Sequence, residues 1–179
     1  MSIKEDVIRA KRRMDRILNS PERRARNATI DKQRRTPNGH FHVAESYFTT
    51  ATKLLSSKIV GHGDHPVRLL YYTALEIYLK AFLRLKGLST AKLARRDFGH
   101  RYCCLLEKAR EFQLSVDDED EVVLYWLSYS SERERVRYIE TGAASWTDLE
   151  ALDRTCRSLR GIIFRQLDAA GLSVRLQSV

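Results

Sequence analysis

Apolar positions recur at helical spacings along most of this chain. Phe41, Ala44, Phe48, Ala51 and Leu55 fall on one stripe, and the spacing predicts a helix over 41–60. Glycines at 61 and 63 mark the turn that follows, Asp64 or His65 can cap, and Pro66 suits a first helical position. The next segment, PVRLLYYTALEIYLKAFLRLK, is apolar on most of its circumference. That pattern predicts a central helix packed on several sides, stopped by Gly87.

After a polar connector over 88–98, Tyr102, Leu105, Ala109 and Phe112 share a face of a third helix. Five consecutive carboxylates, Asp117 to Glu121, complement the dipole at the start of a helix over 122–130. The stretch SERERVRYIETG reads as a charged loop ending at Gly142. Ser145-Trp146-Thr147-Asp148 then signals an N-cap, and Leu149, Leu152, Cys156, Leu159, Ile163 and Leu167 keep helical register beyond it. No segment alternates with period two for more than a few residues, so the expected fold class is all-α, with about five helices.

Ahead of this region, Ile3, Val7, Ala10, Met14 and Ile17 form the seam of a short amphipathic helix over 3–18, with Lys11, Arg12, Arg13 and Arg16 on its other faces. Residues 22–39, carrying Arg23, Arg24, Arg34 and Arg35, hold few large apolar side chains and read as a mobile basic linker. The expected organisation is therefore a basic arm over 1–40 and a helical domain over 41–179. Charge sharpens the division. The net charge is +9, but residues 1–35 hold twelve Lys/Arg against five Asp/Glu, a net +7 that leaves +2 for the other 144.

Composition is ordinarily globular, with 43% hydrophobic and 31% charged residues, enough to build a core. No stretch approaches the ~20 apolar residues of a membrane span, and the N-terminus lacks the apolar centre of a secretory signal. Cys103, Cys104 and Cys156 are odd in number and lack CxxC spacing, the pattern of reduced thiols in a cytoplasm. His62 and His65 lack a third ligand, so no metal site is expected, and nothing points to a cofactor.

Residues 41–127 resemble the HEPN superfamily of helical domains. The resemblance rests on AESYFTTATKLL, on HPVRLLYYTALEIYLKAFLRLKG and on FGHRYCCLLEKAREFQL, in that order. Within these, Ala74, Glu76, Leu79, Lys80, Ala81, Leu83 and Gly87 match the family's Ala-x-Glu-x-x-Leu-Lys-Ala-x-Leu pattern and closing glycine. Gly99 and His100 match its Gly-His pair, and Arg137-Tyr138 a later arginine-tyrosine element. The resemblance implies an up-and-down helical bundle that often dimerises, and work on nucleic acids or nucleotides in toxin–antitoxin, defence or stress systems. A nucleotidyltransferase or antitoxin-like protein is the partner it implies.

Many members of that superfamily are metal-independent ribonucleases with an Arg, four to six residues, then a His, late in the domain. There the His handles a proton and the Arg stabilises phosphate charge. In this sequence no His follows residue 100, so the motif is missing from its expected place. Arg95 and His100 have the spacing, but on another element; Arg35 and His40 have it in the linker.

Glu76 and Lys80 are placed for an intrahelical ion pair, with Glu76 also able to orient Arg135 or Arg137. A guanidinium beside a ring, Arg137 with Tyr138, suits phosphate plus stacking. The expectation is a non-catalytic HEPN-like homodimer that binds RNA, DNA, a nucleotide or a partner protein. Its cleft is lined by Arg135, Arg137, Tyr138, Glu76, Lys80 and His100, and the basic arm adds affinity. The rival readings are a metal-independent ribonuclease using Arg95 and His100 or another Arg/His pair, and a pure protein-interaction module.

Overall fold

The computed structural model describes residues 35–57, 64–95, 98–138 and 145–176, with isolated positions before residue 35. The chain divides into two units, 1–35 and 36–179. In the first, Ile8, Arg9, Pro21, Ala25, Thr29 and Lys32 have helical backbone, and the Thr29 hydroxyl donates to the Ala25 carbonyl at 3.0 Å. Helical positions thus occur where the hydrophobic pattern predicts a linker. Lys11, Arg12, Arg13, Arg16, Arg23, Arg24 and Arg34 lie outside the described residues; Arg35 is described and exposed.

All regular structure among the described residues is helical. The second unit has α1 (Pro37–Ser56), α2 (His65–Leu85), α3 (Thr90–Leu93), α4 (Tyr102–Glu111), α5 (Asp118–Tyr129), α6 (Glu132–Tyr138) and α7 (Leu149–Ala169). None of the described helices is long and apolar enough to cross a membrane. Helix α1 starts four residues earlier than its apolar stripe predicts. The Thr36 hydroxyl accepts from the Gly39 N–H at 3.0 Å, and Pro37 occupies the first turn. Helix α5 starts at Asp118 for the same kind of reason: the Asp117 carboxylate accepts from the Asp120 N–H at 2.9 Å.

The largest departure from the sequence pattern is α6. The alternating charges of ERERVRY suggest a solvated loop, yet Glu132 and Val136 are buried and the segment is helical. Ser131, in the left-handed region at φ 53°, makes the sharp change of direction between α5 and α6.

Helix α2 is central and packs against α1, α4, α6 and α7. Its neighbours bury it on nearly every side, including Tyr71, Tyr72, Leu75, Tyr78, Leu79 and Phe82. Burying a phenol requires an acceptor for its hydroxyl, because an unmade hydrogen bond in the interior costs ~1–3 kcal/mol. Each tyrosine of α2 finds a carboxylate on a different helix. Tyr71 donates to Asp153 of α7 at 3.0 Å, Tyr72 to Glu132 of α6 at 2.5 Å, and Tyr78 to Glu45 of α1 at 2.5 Å. Burial first, then the adjacent carboxylate, pushes the Tyr72 and Tyr78 phenols far up, so both stay protonated donors. Tyr102 of α4 completes the set by donating to the Tyr72 carbonyl at 3.0 Å.

The carboxylates at the far ends are themselves fixed. Glu45, with no exposed surface, receives a bidentate guanidinium from Arg160 of α7 at 2.7 and 2.8 Å. Glu132 accepts from the Trp126 indole N–H at 2.8 Å, the Thr147 N–H at 3.0 Å and the Thr147 hydroxyl at 2.8 Å. Tyrosine–carboxylate pairs therefore tie α2 to three other helices and set how they sit around it.

Candidate functional site

A buried carboxylate of α2 itself gathers the polar residues that the sequence singles out. Glu76 is 5% exposed, on the face of α2 that meets the 98–101 turn and α6. Lys80, one turn on, reaches it at 2.6 Å and also donates to the Gly99 carbonyl at 2.8 Å. His100 Nδ1 stands 2.9 Å from Glu76 Oε2, and the Arg133 guanidinium is in direct contact with the same oxygen. Arg133 Nη1 also lies 2.7 Å from His100 Nδ1.

One nitrogen cannot both donate to Glu76 and accept from Arg133. With Nδ1 protonated, the imidazole donates to the carboxylate; with Nδ1 bare, it accepts from the guanidinium. Either state holds the ring in place, and the His100 side chain remains 57% exposed.

Burial alone would raise the Glu76 pKa. The charges of Lys80 and Arg133 and the hydrogen bonds from Lys80 and His100 outweigh it and hold the carboxyl below its ordinary value. Arg133 is pulled toward neutrality by its own burial, but Tyr102 and Glu76 reverse that and raise its pKa. The result is a fixed anion at the base of the site with three cationic or polar groups around it.

The arginine that Glu76 orients is Arg133, not Arg135 or Arg137. Arg137 lies one helical turn beyond Arg133 on the same face of α6, and its guanidinium stacks over Tyr138 at 5.5 Å. Both residues of that pair are exposed. Arg135 is part-buried on another side of the short helix. Glu76, Lys80 and His100 therefore converge with Arg133, while Arg137 and Tyr138 pair with each other and Arg135 lies on another side of α6.

Arg95 is exposed in the turn after α3, where its carbonyl accepts from Phe98 and Gly99. Among the described residues its side chain makes no hydrogen bond or ion pair. The arginine in contact with His100 is again Arg133, which follows it in the chain by 33 residues. Sequence spacing cannot reveal such a pair, because the two residues meet only through the packing of α6 on α2.

No group of three His, Cys, Asp or Glu residues able to hold a metal occurs among the described residues. His65 opens α2 with its ring 5.2 Å from that of Trp146, and His62 lies outside the described residues. The three cysteines are free. Cys103 and Cys156 are buried and Cys104 is partly so, its thiol pushed up by burial and by Cys103.

What these features define is a class: an all-helical domain with a charged cluster, anchored on one buried glutamate, at the edge of its central helix. Comparison with known proteins goes no further, since no family model, curated protein or solved structure matches this chain.

Proposed function

We propose that this chain is a HEPN-like nucleic-acid-binding domain, with its binding face built on His100, Arg133, Arg137 and Tyr138. The observation that carries this reading is the Arg137–Tyr138 stack one turn beyond Arg133 on α6. Arg133 is locked against Glu76, and one turn along Arg137 and Tyr138 present a guanidinium stacked on an exposed ring. A charged donor fork beside a π-face suits a phosphate and an adjacent unstacked base. Lys80 and Glu76 hold the site's base and do not contact the ligand. The twelve Lys/Arg of residues 1–35 add sequence-independent attraction.

Fluorescence anisotropy with labelled single-stranded RNA and duplex DNA, titrated with salt, tests this. The expected result is binding that weakens steeply with salt. Arg137→Ala and Tyr138→Ala each lower affinity for RNA by about tenfold or more. Neutralising Arg12, Arg13 and Arg16 to Gln flattens the salt slope by about one per charge lost. No binding at ~50 mM salt overturns the reading.

The contact between Arg133 and His100 favours a second reading of the same site, a metal-independent ribonuclease. An exposed imidazole held by a buried carboxylate beside a guanidinium has the parts for moving a proton and stabilising phosphate charge. RNA cleavage that persists in a chelator and is lost in His100→Ala would select it; intact RNA after prolonged incubation would remove it. Homodimerisation and a nucleotidyltransferase or antitoxin-like partner belong to the HEPN-like reading, and light scattering of the purified chain at several concentrations tests the first.

A further inference from the structure

Among the described residues, three helices end in the same way. After α2, α4 and α7, a residue in the left-handed region closes the helix: Gly87 at φ 90°, Gln113 at 65° and Gly171 at 71°. Each donates its N–H to a carbonyl three residues back, and the next residue's N–H reaches five back. These second bonds run from Leu88 to Leu83 at 3.0 Å, Leu114 to Ala109 at 3.1 Å and Leu172 to Leu167 at 3.0 Å. Two of the three use glycine, which meets no steric penalty there. Of these three ends, only that of α4 uses a residue with a side chain, at a conformational cost that glycine would avoid.

Gly161, in the middle of α7, departs from local preference in the opposite sense. Glycine is disfavoured inside helices, and packing does not require it here. A Cβ at position 161 would meet only the Arg165 guanidinium at 3.6 Å, an ordinary contact.

Gln113 and Gly161 line the same cleft, of about 550 Å³, between α7 and the segment that follows α4. That volume lies within the ~300–1,000 Å³ of small-molecule sites. Where two residues break local rules on one concave surface, function is the expected reason.

Arg165 supplies the charge. The other arginines of α7 are occupied: Arg154 with Glu119 and Asp120, Arg157 with Asp153, and Arg160 with Glu45. Among the described residues Arg165 has no carboxylate partner, and its guanidinium lies beside the bare Cα of Gly161. Ser158 adds a hydroxyl one turn earlier, and Leu114 and Ile162 make the apolar wall. Asp117 also lines the cleft, with one oxygen held by the Asp120 N–H.

We propose that this cleft binds a small molecule carrying an oxyanion, a phosphate monoester or a carboxylate, with Arg165 as its anchor and Gln113 as a hydrogen-bonding wall. Gly161 keeps the floor open for it. Asp117 favours ligands that carry a hydroxyl or amine beside the anion. The site uses none of the residues around Glu76 and stands independently of the nucleic-acid reading.

The test is an NMR titration of the isotopically labelled full chain with inorganic phosphate and, separately, with acetate at low ionic strength. The backbone amides of Gln113, Ser158 and Gly161 should shift and saturate. The anion that saturates them names the source, phosphate ester or carboxylate. Arg165→Ala, at an exposed position that does not threaten folding, should weaken that affinity about tenfold or more. Gly161→Leu should remove it by filling the floor. Gln113→Gly should raise the melting midpoint by about 2–4 °C while weakening binding, a pairing that a purely structural role cannot produce. No saturable shift with either anion, saturation confined to other amides, or wild-type affinity in Arg165→Ala overturns the proposal.

Discussion

Replacing Glu132 by alanine should be among the most damaging single changes in this protein, although the sequence around it reads as a solvated loop. The carboxylate has no exposed surface and accepts from Tyr72, the Trp126 indole and both the N–H and hydroxyl of Thr147. Alanine removes the acceptor for all of them. Tyr72 is fully buried and has nowhere to turn, so its hydroxyl bears the full desolvation penalty of ~1–3 kcal/mol. The Thr147 donors are part-buried and lose about 1 kcal/mol each. Trp126 is 49% exposed and recovers much of its bond from water. Loss of the side-chain packing brings the total to about 4 kcal/mol.

Glu132→Gln keeps an acceptor for the Trp126 and Thr147 donors and turns its amide N–H to the Tyr72 oxygen, so that only the Tyr72 hydroxyl proton loses its acceptor. Its cost should be about 1–2 kcal/mol. Urea denaturation followed by circular dichroism gives both values. A double-mutant cycle with Tyr72→Phe should return a coupling of ~0.5–3 kcal/mol. A Glu132→Ala chain within about 1 kcal/mol of the wild type would refute the reasoning, because it would mean that water reaches the buried Tyr72 hydroxyl.

Three further outcomes follow from the same geometry. Arg160→Met removes the bidentate guanidinium from the buried Glu45 carboxylate and should cost ~3–5 kcal/mol by denaturant titration, several times the cost of Tyr78→Phe. Glu76 has a folded-state pKa below its ordinary 4.5. Its stabilisation is therefore complete above that value and is lost as pH falls through the lower folded pKa. The stability gap between wild type and Glu76→Gln should narrow as pH is lowered from ~5 to ~3 in paired urea titrations, and a gap that widens would contradict the assignment. Asp117→Ala removes the carboxylate that accepts from the Asp120 N–H and should lower stability by about 1 kcal/mol, visible as a shifted thermal midpoint.

The helices were legible in the sequence where a stripe of apolar residues met a core. Phe41, Ala44, Phe48 and Ala51 are fully buried, as are Leu152, Cys156, Leu159, Ile163 and Leu167, because a 3.6-residue period fixes which face turns inward. The start of α1 was also written in the chain: Thr36-Pro37 is an N-cap followed by a helix-opening proline, ahead of the first apolar residue. Helix α6 was not legible. Val136 is its sole buried apolar residue, and the burial of Glu132 depends on donors from Tyr72 and Thr147, 60 and 15 residues away. The candidate site divides in the same way. Glu76 and Lys80 meet within one helix at a spacing anyone can count. Arg133 reaches them only after α6 has folded onto α2, and a register read along the chain had no means to choose it over Arg135 or Arg137.

The joint at Glu132 also decides what light would report. The chain has two tryptophans, and both stand there. Trp126 is hydrogen-bonded to Glu132, while Trp146 has the Arg68 guanidinium over its ring at 5.5 Å and precedes the Thr147 that Glu132 holds. Indole emission from this protein is thus a local probe of the junction between α2, α5, α6 and the start of α7, and is blind to the packing of α1 on α2. If emission and far-ultraviolet ellipticity fall together during unfolding, the junction opens with the whole helical core. If emission changes first, the junction has loosened before the core, and the face carrying Arg133 and His100 has lost its footing while most of the helix is still intact.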